Sequence, residues 1–167
     1  SGVLCVLGNY GGDVMNFEMA CEIVKSEGIE TKMIIISDDI ASASSEDKSK
    51  RRGIAGLIFA FKIAGASSEN GASLEEVYDL TSKANNNLRT IGVAVSSCIL
   101  PEVGKPTFEL ENDEIEIGMG IHGEPGLKRE KLRKADLLVD DLCKIIFEDF
   151  ELSNNDKVSI MINSLGA

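Results

Sequence analysis

The fold class is decided by residues 3–36, VLCVLGNYGGDVMNFEMACEIVKSEGIETKMIII. The apolar run Val3–Leu7 ends at glycines and predicts a buried strand. Asp13–Glu27 predicts a helix, with Asp13 as its N-cap and Gly28 just after its end. Thr31–Ile36, with its run of isoleucines, predicts a second strand. Strand, helix and strand in this order form the βαβ unit of a parallel sheet.

The rest of the chain predicts more helices and strands around this unit. Helices are expected over about 51–68, 74–88 and 130–150, and strands over about 90–99, 107–110, 114–118 and 157–162. Ser73 and Glu76 are spaced as a capping box, and Asn112-Asp113 suits the turn of a hairpin. The alternation in Glu114–Ile117 predicts a strand with one wet face. The predicted fold class is α/β, a mostly parallel sheet flanked by helices, with a hairpin-containing region.

Length and composition indicate one globular domain. With 167 residues, 43% hydrophobic and 27% charged, the chain can form a packed core. No apolar run approaches the ~20 residues that a membrane-spanning helix needs. A net charge of -11 disfavours a primary role in binding nucleic acid. The four cysteines lack CxxC or metal-site spacing and there is one histidine, so we expect reduced thiols, no metal and a cytoplasmic location.

Two glycine-rich loops are the candidates for ligand binding. The first, Gly8–Asp13, lies between a strand and a helix, where α/β sheets bind ligands. Its glycines let a ligand approach the backbone, but its spacing matches neither GxGxxG nor GxxxxGK[ST], so a nucleotide site is poorly supported. From spacing alone, Asp13 is better explained as an N-cap than as a catalytic group.

The second loop, Gly118–Gly126, contains His122. A lone histidine is usually structural or solvated, yet flanking glycines expose this ring and Glu124 is near enough in sequence to orient one of its nitrogens. A neutral imidazole is a nucleophile, and a ketone is a suitable electrophile for it. Glu124-Pro125 is equally consistent with a plain turn.

Three other polar features have simpler structural explanations. Asp38-Asp39, at a strand end, is better explained as a solvated helix cap or turn than as a ligand or metal contact. The basic run within 48–52 favours an exposed helix start over a docking surface. Cys98 has the chemistry of a reactive thiol, but the chain has no second histidine to activate it.

Four motifs, in order, resemble the substrate-binding (K) subunit or domain of dihydroxyacetone kinase. They are Gly8–Phe17, Arg51–Gly56, Gly104–Phe108 and Gly118–Gly126. The resemblance extends to Asn163–Ala167 and so covers essentially the whole chain. It implies that residues 1–167 are a fragment of a two-subdomain K domain whose N-terminal and C-terminal parts are absent.

The resemblance implies roles for individual residues. His122 would bind dihydroxyacetone covalently, as a hemiaminal on the ketone carbon, and Asp13 would contact the hydroxyls near the phosphorylation site. Gly8, Gly11 and Gly12 would let the backbone close on the sugar. A triose offers little apolar area for noncovalent binding, and glycerol lacks the carbonyl that the adduct needs.

The implied activity is that of a glycerone kinase, which phosphorylates a hydroxyl of dihydroxyacetone in glycerol metabolism. The phosphoryl group would come from ATP, or from ADP recharged by the phosphotransferase system, held with Mg²⁺ on a helical nucleotide-binding (L) domain or subunit. The resemblance also implies a homodimer, no cofactor bound by this chain, and neither membrane nor direct nucleic-acid binding.

Two departures from the family pattern leave alternatives open. Gly8 stands where many phosphotransferase-type K subunits have a lysine. No Gly-Ser-Gly-His-Glu-Pro motif, whose histidine is taken as the general base, precedes Ser1. The alternatives to a kinase component are a non-catalytic coactivator that senses dihydroxyacetone and an interaction module in which His122 is inert. We expect the kinase component, as a fragment.

Overall fold

The computed structural model describes residues 2–97, 99, 101–102, 104–106, 108–150 and 152–164. Its elements are β1 (Gly2–Gly8), α1 (Gly11–Ser26), β2 (Glu30–Ile36), α2 (Leu57–Glu69), α3 (Leu74–Asn86), β3 (Val93–Ala94), β4 (Glu114–Ile117), β5 (Lys128–Lys131) and α4 (Ala135–Glu148). The mixed α/β class agrees with the prediction. A mostly parallel sheet is not confirmed, since β1 and β2 form a parallel pair and β3, β4 and β5 form an antiparallel sheet.

The predicted βαβ unit is present. Strands β1 and β2 pair in parallel along their whole length, from Gly2 opposite Glu30 to Gly8 opposite Ile36. Their apolar side chains pack against α2, where Ala60 is fully buried. The unit therefore places the ends of β1 and β2 side by side, and the loops that follow them become neighbours.

The predicted helix cap at Asp13 is wrong. Tyr10, in extended conformation, is the N-cap residue of α1, and its carbonyl accepts a hydrogen bond from the N–H of Val14 at 2.9 Å. Asp13 is the third helical residue, where a carboxylate is favoured by the positive end of the helix dipole. The other end of α1 is as predicted: Gly28 follows it with φ +83°, the left-handed conformation that suits glycine there.

Helix α2 begins at Leu57, later than the predicted start at Arg51. The cause is the buried carboxylate of Asp38, which accepts the backbone N–H groups of Ile54 at 2.9 Å and Gly56 at 2.8 Å. A buried carboxylate needs hydrogen-bond donors. Because the backbone N–H groups of residues 54 and 56 point to Asp38, residues 51–56 form a loop instead of a helical turn. Asp38 is thus a buried structural anchor, and the prediction of a solvated turn or cap is wrong for this residue.

Helices α2 and α3 differ in how well they agree with the sequence-based predictions. The apolar composition of residues 51–68 predicts a helix buried between layers, but Ile58 and Phe61 of α2 are exposed. Helix α3 begins as predicted: Ser73 Oγ accepts the N–H of Glu76, and the Glu76 carboxylate accepts the N–H of Ser73. This capping box satisfies two backbone donors at the start of the helix.

The second half of the chain differs most from prediction. Strand β4 pairs with β3 and β5 rather than with residues 107–110, of which Thr107 lies outside the described residues. The segment predicted to start the last helix forms β5, so α4 begins at Ala135. Of the strand predicted over 90–99, only Val93–Ala94 forms β3, and 157–162 forms no strand in the described structure.

The predicted wet face of β4 is also wrong. Glu116 is only 4% exposed, and its carboxylate accepts the Nε–H of Arg129 at 2.8 Å and the N–H of Gly126 at 2.6 Å. Arg129 lies directly opposite Glu116 on β5, so the cross-strand partner supplies the charge that permits burial.

The structure describes three of the four cysteines. Cys5, Cys21 and Cys143 are free thiols, and the Sγ atoms of Cys5 and Cys21 lie 3.6 Å apart. Cys98 lies outside the described residues. Within the described part of the chain, every helix is too short or too polar to cross a membrane.

Candidate functional site

The two glycine-rich loops contact each other. The ring of Tyr10, after β1, and the ring of His122, after β4, lie edge to face with centroids 4.9 Å apart and planes at 76°. Fold topology therefore joins the two segments that the sequence marked separately as candidates for ligand binding.

Glu124 holds the imidazole of His122 by one nitrogen. The Nδ1 atom of His122 lies 2.9 Å from Oε1 of Glu124, and the backbone N–H of His122 donates to Oε2 of the same carboxylate. Burial raises the pKa of the Glu124 carboxyl, but the hydrogen bonds from His122 outweigh it and bring the pKa below its usual value. An ionised Glu124 makes Nδ1 the protonated nitrogen and leaves the lone pair on Nε2. The ring itself is 62% exposed.

Arg52 connects this loop to the end of β2. Its Nε and Nη2 atoms both lie 2.7 Å from Oδ2 of Asp39, and Nη2 also donates to the carbonyl of Gly118 at 3.0 Å. Its Nη1 lies 3.9 Å from Oε2 of Glu124. Burial raises the pKa of Asp39, and the Arg52 guanidinium opposes that rise. Arg52 thus orders the start of the histidine loop and adds positive charge beside Glu124.

Two glycines make this arrangement possible. A Cβ on Gly120 would lie 2.1 Å from Oε2 of Glu124 and 2.3 Å from Nη1 of Arg52. A Cβ on Gly53 would lie 2.5 Å from the carbonyl oxygen of Ile36 and 2.6 Å from Cα of Gly8. Gly120 therefore makes room for the charged side chains, and Gly53 lets the arginine loop pack directly on the ends of β1 and β2.

The other predicted site residues lie beside Tyr10 on the first loop. Gly11 and Gly12 open α1, and a Cβ on either would meet no atom within 4 Å, so space is open above them. Asp13 is exposed in the same first turn, and in the described structure no hydrogen bond or ion pair joins it to His122. Gly8 lies against Tyr10.

The sequence interpretation missed the role of the arginines. Arg51 and Arg52 were expected at an exposed helix start, whereas Arg51 is 1% exposed and Arg52 is bound to Asp39. Two adjacent arginines followed by a glycine in an acidic chain were the available signal, because buried arginines must find carboxylates. No local pattern pairs Asp39 with Arg52, which lies 13 positions further along the sequence.

Two clefts in the surface lie away from this site. One, of about 330 Å³, is lined by Met33, Tyr78 and Asn85 among others, and one of about 390 Å³ by Cys21, Thr31 and Lys32 among others. Residues of β2 line both clefts, and His122 lines neither of them. No cluster of three or more His, Cys, Asp or Glu side chains suited to a metal ion occurs within the described ranges.

The sequence matches one known protein family over its whole length. The Dak1 domain matches residues 1–167, the whole of the sequence. This chain belongs to the Dak1 domain family. The resemblance inferred from its four motifs is thereby confirmed.

Relatives of this Dak1 domain include both kinases and a co-activator. One relative is the PTS-dependent dihydroxyacetone kinase 1, dihydroxyacetone-binding subunit DhaK, of Listeria innocua serovar 6a. The two sequences are 47% identical over 167 residues, which is 100% of this chain and 51% of that protein. The native dihydroxyacetone kinase of C. freundii superposes with a TM-score of 0.81 at 35% identity, covering 89% of this chain and 27% of that one. The dihydroxyacetone kinase operon co-activator Dha-DhaQ superposes with a TM-score of 0.79 at 33% sequence identity, covering 89% of this chain and 45% of that one. This Dak1 domain spans about half the length of the curated relative.

Proposed function

We propose that this Dak1 domain is the dihydroxyacetone-binding part of a dihydroxyacetone kinase and that His122 captures the substrate covalently. The observation that carries the proposal is the hydrogen bond between Nδ1 of His122 and Glu124, which directs the lone pair to Nε2 on an exposed ring. The kinase relatives support the substrate, since the Listeria protein is named as a dihydroxyacetone-binding subunit.

The capture step is an addition to a ketone. The Nε2 lone pair of His122 forms a bond to C2 of dihydroxyacetone, and the π pair of the C=O bond moves to oxygen. The alkoxide takes a proton from solvent, and the Nδ1 proton passes to solvent through Glu124, so a neutral hemiaminal results. Glu124 stabilises the imidazolium that forms in between, because an ionised acceptor strengthens the hydrogen bond from Nδ1. Glycerol has no carbonyl and undergoes no such step.

The phosphoryl transfer involves groups beyond this chain. Asp13, on the loop that touches His122 through Tyr10, would orient or deprotonate the hydroxyl that is phosphorylated. The space above Gly11 and Gly12 would receive the sugar. The nucleotide, with Mg²⁺, would be held by a helical partner domain or subunit, and the substrate-binding protein would act as a cytoplasmic homodimer. Residues 1–167 would be a fragment of the complete K domain.

The test follows the ketone carbon. Dihydroxyacetone labelled with carbon-13 at C2 is added to the protein at its natural full length and observed by NMR. We expect a protein-bound signal in the region of a saturated carbon that carries both N and O. The signal should be absent from His122→Ala and present in Cys143→Ser, a control on α4. Absence of the bound signal from the unmodified protein would contradict covalent capture.

A second measurement separates a kinase from a sensor. The protein is combined with its helical nucleotide-binding partner and a phosphoryl donor, and dihydroxyacetone phosphate is quantified. The kinase proposal predicts product formation that requires this chain. Adduct formation without product under either donor, ATP or the phosphotransferase system, would favour the co-activator function carried by the Dha-DhaQ relative.

A further inference from the structure

The Glu124 hydrogen bond is one of two contacts that orient the His122 ring. The imidazole turns about its Cα–Cβ and Cβ–Cγ bonds; the hydrogen bond at Nδ1 restrains these rotations, while the ring stays largely exposed to solvent. Attack on a ketone needs the Nε2 lone pair aligned with the carbonyl carbon. A second contact to the exposed ring would narrow the range of orientations that it can take.

The ring of Tyr10 supplies that contact. Its centroid lies 4.9 Å from that of His122 with the planes at 76°, the edge-to-face arrangement that aromatic pairs prefer. Because the contact comes from the opposite loop, it constrains the imidazole independently of Glu124.

Tyr10 is itself held firmly. Its backbone N–H donates to the carbonyl of Gly8 at 2.9 Å, and its carbonyl accepts the first hydrogen bond of α1 from Val14. Its ring lies so close to Gly8 that a Cβ there would be 3.1 Å from Cε2 and 3.2 Å from Cδ2 of Tyr10. Any side chain at residue 8 would force the Tyr10 ring to shift by a few tenths of an ångström.

The hydroxyl of Tyr10 takes no part in this. Its oxygen is buried and has no hydrogen-bond partner among the described residues. Burial raises the pKa of Tyr10 to about 12, with Glu124 adding to the rise, so the phenol stays neutral and cannot act as a base near neutral pH. The ring, not the hydroxyl, makes the contact with His122.

We propose that Tyr10 is a positioning residue that holds the His122 imidazole in the orientation for attack on the ketone, and that a side chain at residue 8 would crowd the Tyr10 ring and shift it. The inference rests on the proposed covalent capture.

The experiment compares Tyr10→Phe, Tyr10→Leu and Gly8→Ala in the full-length protein. Tyr78→Leu is the matched control, because Tyr78 is the other tyrosine of the chain and packs against the β2 core instead. Two quantities are measured: the NMR shifts of the His122 ring protons in free protein, which sense the ring current of Tyr10, and the dissociation constant of the carbon-13 dihydroxyacetone adduct.

The expected pattern is specific. Tyr10→Phe leaves the His122 ring-proton shifts and the dissociation constant of the adduct unchanged. Tyr10→Leu moves the His122 ring signals and weakens dihydroxyacetone capture about 2- to 10-fold, as expected from losing one aromatic pair. Gly8→Ala moves the same signals by less. Tyr78→Leu leaves the signals and capture unchanged, even where it lowers the melting temperature.

Three outcomes would overturn the inference. One is unchanged His122 signals and capture in Tyr10→Leu. A second is an equal loss in Tyr10→Phe, which would assign the effect to the hydroxyl. The third applies if Tyr10→Leu fails to fold: Gly8→Ala, folded but without any shift of the His122 signals, would then refute the packing argument. Failure of the unmodified protein to form the adduct would instead refute the proposed function, while the ring signals would still report whether Tyr10 orients His122.

Discussion

The guanidinium of Arg51 and the carboxylate of Asp149 form a bidentate ion pair, with Nη1–Oδ2 and Nη2–Oδ1 distances of 2.8 and 2.5 Å. Asp149 is the C-cap residue of α4, and it also accepts from Nε of Arg89. The pair ties the end of the last helix to the loop that carries Arg52. The part of the structure around His122 is therefore connected to α4 through buried charge.

We predict that Asp149→Asn strongly destabilises the protein. The substitution leaves Arg51, which is 1% exposed, without its counter-charge, and removing one member of a buried pair costs about 3 kcal/mol of unfolding free energy. Urea unfolding measures the change. Asp113→Asn, which breaks the exposed pair with Lys131, is the control and should have little effect. Equal stability of the two variants would contradict the prediction.

Acid should weaken the same contact. Hydrogen bonds from Arg51, and then from Arg89, hold the pKa of Asp149 below its usual value of 3.8. Because the folded pKa is below the unfolded one, the stability is fully present above about pH 5 and is lost as the pH falls through the folded pKa. The urea midpoint of the unmodified protein should fall more steeply below pH 4 than that of Asp149→Asn. Parallel pH curves would count against this assignment.

Glu124→Gln should weaken dihydroxyacetone capture. The amide oxygen can still accept from Nδ1 of His122, but it lacks the charge that stabilises the imidazolium. The difference between a charged and a neutral hydrogen bond predicts about a 10-fold rise in the dissociation constant of the adduct. Carbon-13 NMR titration measures it, and an unchanged affinity would show that Glu124 is only a turn residue.

Gly120→Ala should damage the site more than the fold. Its Cβ would displace the Glu124 carboxylate and the Arg52 guanidinium, so capture of dihydroxyacetone should fall about 10-fold or more. Gly65→Ala is the control, because its Cβ meets no atom within 4 Å and alanine favours the α2 helix. We expect Gly65→Ala to retain full capture and slightly higher stability. Full capture by Gly120→Ala would contradict the geometry of the site.

Asp13→Asn should separate binding from chemistry. Under the proposed function, Asp13 acts on a hydroxyl and not on the ketone, so the adduct should form with near-normal affinity. Loss of a general base typically costs about 10²–10⁴-fold in rate, and kcat for dihydroxyacetone phosphate should fall by at least the lower figure. Loss of the adduct with unchanged kcat would reverse the two assigned roles.

The sequence predicted well wherever the controlling interactions are local. Three correct predictions depend on residues a few positions apart or on strand composition. They are the parallel pair β1–β2, the glycine that follows α1 (Gly28) and the capping box of Ser73 and Glu76. It failed for residues 51–56 and for Glu116. In both places a buried carboxylate selects distant partners, and that choice overrides helical or alternating patterns.

What the sequence determined by itself is the βαβ unit, the Dak1 motifs and the presence of one histidine in a glycine-rich loop. These depend on periodicity, glycine placement and residue identity, which are properties of short segments. Only the tertiary structure decided that Tyr10 meets His122, that Arg52 joins Asp39 to the histidine loop, and that Asp149 neutralises Arg51. Tyr10 and His122 lie 112 positions apart in the sequence, and Arg51 and Asp149 lie 98 positions apart. Their pairing is set by which strand ends the sheets bring together and by the need of buried charges for partners, and neither is encoded in any local pattern.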